Sequence, residues 1–320
     1  MHSKAGHAIS FASRRALCKT PSLSYSTRLL PFTRGNHTQP QPQQPPQSTN
    51  SRSDSTTHFG FRTVPTEEKE SLVKGVFSSV ASSYDVMNDA MSFGVHRLWK
   101  DEYVGTILNP GRRGPVKCID VAGGTGDIAL RILDHAREKY ADRDTSVCVV
   151  DLNPDMLREG ETRFKKTMYH NTSQVSFRVA NAQELPPNEF PDNTFDLYTI
   201  AFGIRNCTDV PAVLREARRV LKPGGTFACL EFGKVGNPLF AQVYESYSFS
   251  IIPLMGHILA GDRASYQYLV ESIRRFPSQP DFARMISEAG FATGEMREGK
   301  GGAWRDMWGG IASVHMGVKM

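Results

Sequence analysis

The sequence predicts an α/β fold: a mainly parallel sheet with helices on both faces and helical additions at either end. Three observations predict it. From residue 116 onward, short apolar runs alternate with helix-length amphipathic stretches, which is the pattern of right-handed βαβ units. The first of these runs ends in a glycine-rich turn, Ala122-Gly123-Gly124-Thr125-Gly126-Asp127, that opens directly into a helix. Finally, no window carries the roughly 20 apolar residues a spanning helix needs, and 39% hydrophobic with 22% charged residues is a globular composition.

Residues 1–53 contain no Asp or Glu but carry Lys4, Arg14, Arg15, Lys19, Arg28, Arg34 and Arg52 among many Ser and Thr. That composition fits a mitochondrial transit peptide, and with the low-complexity linker at 39–50 it assigns residues 1–60 to a leader and disordered linker. A helical cap is expected over 61–110, with one helix at 67–80. Strands are then expected at 116–121, 147–151, 175–180, 195–202 and 226–232, with helices at 128–140, 154–166 and 210–221 between them. Lys222-Pro223-Gly224-Gly225 stops the last of these helices. An aromatic and apolar stretch at 238–260 and helices at 265–276 and 281–289 form a lid over 238–290, before two late strands near 293 and 311.

The formal charge of +5 resides in the leader, so the body is close to neutral and a nucleic-acid partner loses its main support. The five cysteines show no paired spacing, as expected of a reducing compartment. No His or Cys spacing indicates a metal site.

The glycine turn alone serves equally as a tight turn or as a ligand cradle, in which a helix N-terminus offers unpaired N–H groups. Two further strand ends favour the cradle. Asp151 closes the second strand, where a carboxylate can accept from both hydroxyls of a ribose, and Asn181-Ala182 close the third, where they can frame an adenine edge. Asp151 competes with Asn153 for the role of helix N-cap. A nicotinamide dehydrogenase would share much of this; Asp120 before the glycines and the Leu221–Gly225 stop argue against one.

With these residues in place the chain resembles class I methyltransferases that use S-adenosylmethionine. It resembles more closely the ubiquinone/menaquinone biosynthesis C-methyltransferases. The resemblance covers roughly 64–320 and rests on four stretches: 77–88, 121–127, Phe202-Gly203-Ile204-Arg205-Asn206, and 265–273 with its Ser265-Tyr266-Gln267-Tyr268-Leu269. It implies a Rossmann-like, mainly parallel seven-stranded sheet. It also implies S-adenosylmethionine contacts at Asp120, Gly123, Gly124, Thr125, Gly126, Asp151, Asn181, Ala182 and Ala201. Many family members carry Ser at the last of these positions, so a contact from Ala201 must use backbone.

The implied reaction methylates a ring carbon of a methoxy-polyprenyl-benzoquinol in ubiquinone synthesis. A demethylmenaquinol acceptor, or an idle scaffold of the same fold, stays open. The ring carbon becomes nucleophilic as a ring hydroxyl loses its proton. Arg205, with Asn206 beside it, is the candidate to stabilise the phenolate, and Tyr84 to hydrogen-bond the hydroxyl from the cap. The competing reading makes Arg205 a salt-bridged arginine and gives Tyr84 and Asn88 packing and capping roles. Asp262 and His257 in the lid are weaker candidates for proton removal. The family further implies peripheral contact with the matrix face of the mitochondrial inner membrane and partnership with other ubiquinone-biosynthesis proteins in a complex, and leaves a homodimer open.

Overall fold

The alternation that begins at residue 116 builds one sheet. In the computed structural model, which describes residues 56–80, 88–89, 91–260, 263–294 and 303–320, a hairpin comes first, β1 Thr56–Phe59 against β2 Arg62–Pro65. Helix α1, Thr66–Val80, and helix α2, Val95–Glu102, follow. Strand β3 Lys117–Val121, helix α3 Asp127–Tyr140, strand β4 Ser146–Asp151, helix α4 Pro154–Phe164 and strand β5 Val175–Val179 make the first half of the sheet. Strand β6 Phe195–Ala201, helix α5 Val210–Val220 and strand β7 Leu221–Phe232 make the second. These five strands are parallel, in the order β5-β4-β3-β6-β7.

Helices α6 Pro238–Ala260, α7 Arg263–Arg275 and α8 Gln279–Glu288 come next, then strands β8 Phe291–Ala292, β9 Trp304–Met307 and β10 Ala312–Lys319. Strand β10 runs antiparallel beside β7. Strands β9 and β8 pair with successive halves of its far edge, so eight strands occupy the seven positions expected. Residues 295–302 of the late hairpin lie outside the described residues.

The local sequence accounts for these elements. The central strands are β-branched and buried on both faces, as parallel strands covered by helices must be. One face packs α5 and α8 through Val213, Leu214, Ala217, Phe282 and Ile286, and the other packs α2, α3 and α4 through Trp99, Ile128, Ile132 and Leu157. Asn153, Asp209 and Ser278 cap α4, α5 and α8, each accepting from a backbone N–H of the first turn, with Pro at the first positions of each helix.

Four expectations change. Hairpin residues 56–60 fall in the stretch assigned to the linker, and the cap opens with β2 rather than with helix, because Phe59 and Val64 bury against Tyr268 of α7. Helix α8 belongs to the sheet and not to a lid, since Phe282 and Ile286 are fully buried in its core. Strand β7 begins at Leu221, five residues early: Phe195 faces Leu221 while Leu197 faces Thr226, so Lys222–Gly225 bulge out within the strand, with Gly224 at φ +81°. The leader up to residue 55, Tyr84 and Asp262 lie outside the described residues.

Candidate functional site

From β3 the chain steps one way through β4 to β5 and, from β6, the other way to β7. The reversal opens a crevice at the carboxyl ends of β3 and β6, where ligands of open α/β sheets bind. A cavity of about 150 Å³ lies there. Its floor is the glycine turn, closed by Gly126 N–H donating to the Gly123 carbonyl at 2.8 Å. A Cβ on Gly123 would fall 2.7 Å from Val149 Cγ1 and 2.9 Å from Asp120 Oδ2, so no side chain fits. Gly124 takes φ +52° and donates its N–H to Asp151 Oδ2 at 2.9 Å.

Asp151 Oδ1 accepts from Asn153 N–H at 2.8 Å, and Asn153 Oδ1 in turn caps α4 by accepting from Asp155 N–H at 2.9 Å. The competition for the cap is thus settled in favour of Asn153, leaving Asp151 at the cavity wall. Burial pushes the Asp151 carboxyl up to about 6 against its backbone donors. Asp120 is more extreme. Its Oδ1 accepts from Thr199 Oγ1 at 2.7 Å, while Oδ2 is buried without a partner among the described residues, and burial pushes the carboxyl up to about 7. A buried oxygen left unpaired is costly. A cation beside it would relieve that cost.

The other expected cofactor residues, Thr125, Asn181, Ala182 and Ala201, also line this cavity. Asn181 Oδ1 accepts from Gln183 N–H at 3.0 Å, which leaves the amide NH₂ as its donor. Asn206, expected beside Arg205 at the acceptor, lines this smaller cavity instead, and its Oδ1 accepts from Tyr268 Oη at 3.0 Å.

A second cavity of about 470 Å³ adjoins the first, and Phe77, Lys100 and Phe202 line both. Its walls are mostly aromatic and apolar. Trp99, Phe202 and Phe232 form one side, with the Phe202 and Phe232 ring centroids 4.8 Å apart. Tyr266 and Tyr268, from the Ser-Tyr-Gln-Tyr-Leu stretch, form another. Phe93, Val243 and Trp308 also line it although each is more than half exposed, which marks its mouth.

Arg205 faces this larger cavity with only 4% of its side chain exposed. Its Nη1 donates to both Glu231 oxygens, at 3.0 and 3.2 Å, and to the Phe202 carbonyl, and its guanidinium lies over the Phe232 ring. Burial pushes the Glu231 carboxyl up and Arg205 opposes it. This arginine is therefore salt-bridged but buried rather than at the surface, and it borders the larger cavity.

Several residues at the site were not anticipated. Helix α1 roofs the smaller cavity through Glu70, Val73, Lys74 and Phe77, and is tied down by Lys69 Nζ donating to the Cys207 carbonyl at 2.9 Å. Lys100 donates to Asp127 Oδ2 at 2.8 Å between the two cavities. His96 lines the larger cavity and bonds Asp89. Their signal in the sequence is weak, because each pairs with a residue on another element.

The ubiE/COQ5 methyltransferase family model matches residues 63–319. A relative from Schizosaccharomyces pombe, named 2-methoxy-6-polyprenyl-1,4-benzoquinol methylase, mitochondrial, is 56% identical over 266 residues, covering 82% of this chain and 84% of its own. A protein of the same name from Caenorhabditis elegans is 50% identical, covering 82% and 85%. One from Rhodopseudomonas palustris, named ubiquinone/menaquinone biosynthesis C-methyltransferase UbiE, is 48% identical, covering 83% and 98%.

Proposed function

The chain belongs to the ubiE/COQ5 methyltransferase family, and from that premise we propose that it transfers a methyl group from S-adenosylmethionine to a ring carbon of 2-methoxy-6-polyprenyl-1,4-benzoquinol in ubiquinone synthesis. One observation carries the reading: a small cavity edged by carboxylates and a larger apolar one meet at Phe77, Lys100 and Phe202. The small cavity fits the donor. The unpaired Asp120 oxygen suits its positive charge, Asp151 suits a ribose, and the Asn181 amide suits an adenine edge. Bound there, the donor supplies an electrophilic methyl.

The chain's own residues do the rest. The aromatic walls hold the quinol ring, and aligning the two reactants supplies about 7–11 kcal/mol of the barrier reduction. Arg205 stabilises charge developing on the ring oxygen, because a guanidinium is a fixed cation and this one is shielded from water. Tyr84 is retained as the donor to the ring hydroxyl. Asn206 positions Tyr268 from the cofactor side.

The polyprenyl tail leaves by the mouth at Phe93, Val243 and Trp308. Beyond it, Leu239 (75% exposed) and Leu254 (52%) present apolar surface on α6, and no helix among the described residues is long and apolar enough to cross a membrane. We read the exposed leucines as supporting peripheral contact with the matrix face of the mitochondrial inner membrane, with residues 1–55 as the import leader. A complex with other ubiquinone-biosynthesis proteins, or a homodimer, would form on surfaces outside the two cavities.

The experiment is mass spectrometry of a short-tailed methoxy-polyprenyl-benzoquinol, kept reduced, after incubation with the full chain and S-adenosylmethionine. A gain of one methyl on a ring carbon is expected. No gain, with the donor still bound, would overturn the acceptor.

A further inference from the structure

The donor proposed above has its parts in a fixed order, and the strand ends lay that order out in space. With adenine at the end of β5 and ribose at the end of β4, the amino-acid part falls beyond β3, where α3 begins. That part carries an ammonium and a carboxylate. Asp120 and Asp127 line this end of the smaller cavity and suit positive charge. The carboxylate needs a partner of the other sign, because an ion taken out of water is costly unless it is paired.

Among the described residues lining the smaller cavity, the cations are Lys74 and Lys100. Lys74 is an exposed residue of the roof, and its carbonyl accepts from Asn153 Nδ2 at 3.4 Å, which places it over the cap of α4 at the ribose end. Lys100 stands at the other end. It comes from α2, is 6% exposed, and lines both cavities. Its Nζ donates to Asp127 Oδ2 at 2.8 Å, and Asp127 lines the smaller cavity only. The stem is thus part of the shared wall, while the ammonium lies on the donor side at the start of α3.

Asp127 does not use up that ammonium. Its Oδ1 also accepts from Arg131 Nε at 3.3 Å and lies 3.7 Å from Arg163 Nη1. Burial pushes its carboxyl up, yet Lys100, Arg131 and Arg163 outweigh burial and bring it down to about 2. One carboxylate therefore serves three cations. The two arginine side chains are 20% and 27% exposed and keep contact with water, and Arg131 also holds Asp101. The Lys100 side chain, 8% exposed, is the one nearly sealed in. An ammonium has three N–H bonds to give, and a buried charge is stable only when they are taken up. Helix α3 adds to the attraction: Gly126 at its N-cap makes no side-chain cap bond, and a helix N-terminus favours an anion.

We infer that Lys100 binds the α-carboxylate of S-adenosylmethionine and selects donors that carry one. The inference rests on the donor reading above and adds to it the residue that recognises the amino-acid end.

The test is calorimetric titration of the full chain with S-adenosylmethionine and with its decarboxylated form, which keeps the nucleoside, the sulfonium and the amine. Wild type should bind the carboxylated donor about 10- to 100-fold more tightly, as a charged hydrogen bond allows. Lys100→Met should lose about that factor toward S-adenosylmethionine, yet no more than about threefold toward the decarboxylated form, because Arg131 and Arg163 still hold Asp127. A lysine that served only to tie α2 to α3 would weaken both ligands alike.

A wild-type chain that binds no S-adenosylmethionine sinks the donor reading, and this role with it. Wild-type binding with no preference for the carboxylated form, a preference that survives in Lys100→Met, or equal loss of both ligands in a folded Lys100→Met overturns the role of Lys100 alone. Denaturant melts check the fold, and if Lys100→Met melts early, Lys100→Gln takes its place and is read by the same outcomes.

Discussion

The two cavities sit wall to wall and are built by opposite means. The floor and walls of the smaller are mostly main chain and short side chains at the ends of β3, β4, β5 and β6, under the roof that α1 supplies. The larger is made by long side chains from α1, α2, α6, α7, the ends of β6 and β7 and the turn before β10, which reach it from positions as far apart in the chain as Val76 and Ile311. A site that positions a polar ligand is rigid because its backbone is already paired. A site that takes an apolar tail gains most from area and shape, and helices supply both.

The sharpest way to break this contrast is Arg205, a charge on the wall of the apolar cavity whose side chain is nearly sealed off. Arg205→Met alone should lose stability by about 3–5 kcal/mol, because it strands the buried Glu231 carboxyl, and turnover should collapse with it. Arg205→Met with Glu231→Leu should recover most of the stability, since a buried pair can be replaced by apolar groups, yet not the turnover. Denaturant melts read beside product formation decide; recovered turnover in the double variant would remove Arg205 from the chemistry.

On the polar side, Asp151→Asn replaces a charged acceptor. It should weaken S-adenosylmethionine binding about 10- to 100-fold, in line with the worth of charge-assisted bonds, while leaving quinol KM unchanged. Calorimetry that shows unaltered donor affinity would take Asp151 off the ribose.

A pH series comes next in size. Burial raises Asp120 to about 7 and Asp151 to about 6. Without ligand, ionising these groups costs fold stability as pH rises from near 4 through 7, and a bound cation offsets that cost. Donor affinity should therefore fall about tenfold from pH 8 to pH 6 as Asp120 protonates, and the gain in Tm on binding should shrink in parallel. A flat profile would mean that no cation meets Asp120.

The smallest effect belongs to the mouth of the apolar cavity. Leu239→Glu with Leu254→Glu on α6 should leave stability within about 0.5 kcal/mol and short-tailed turnover intact, yet weaken flotation with liposomes and turnover of long-tailed quinol. Unchanged flotation would place the membrane contact elsewhere.

The same division governs what the sequence made legible. Asp120, the glycine turn, Asp151 and Asn181 were readable because each follows its strand directly and a parallel sheet brings successive strand ends to one edge. The stop at Lys222–Gly225 was read correctly as a break but misplaced, because a bulge and a helix end present the same Pro and Gly. Partners across elements were not readable. Asp89 and His96 are seven residues apart around a turn with Gly94 at φ +76°, a spacing with no fixed geometry. Lys69 reaches Cys207 across 138 residues. Glu231 did carry a signal, as an acid between Leu230 and Phe232 in an otherwise apolar strand, where a charge needs a partner.

The ring of Phe59 lies stacked 4.2 Å from that of Tyr268, whose hydroxyl holds the Asn206 amide on the cofactor side. If the leader proposed above is trimmed, the cut therefore meets a physical limit. A cut that spares Thr56 leaves the hairpin to brace Tyr268, whereas one placed after residue 60 would release a well-folded sheet whose two chambers had lost their common prop.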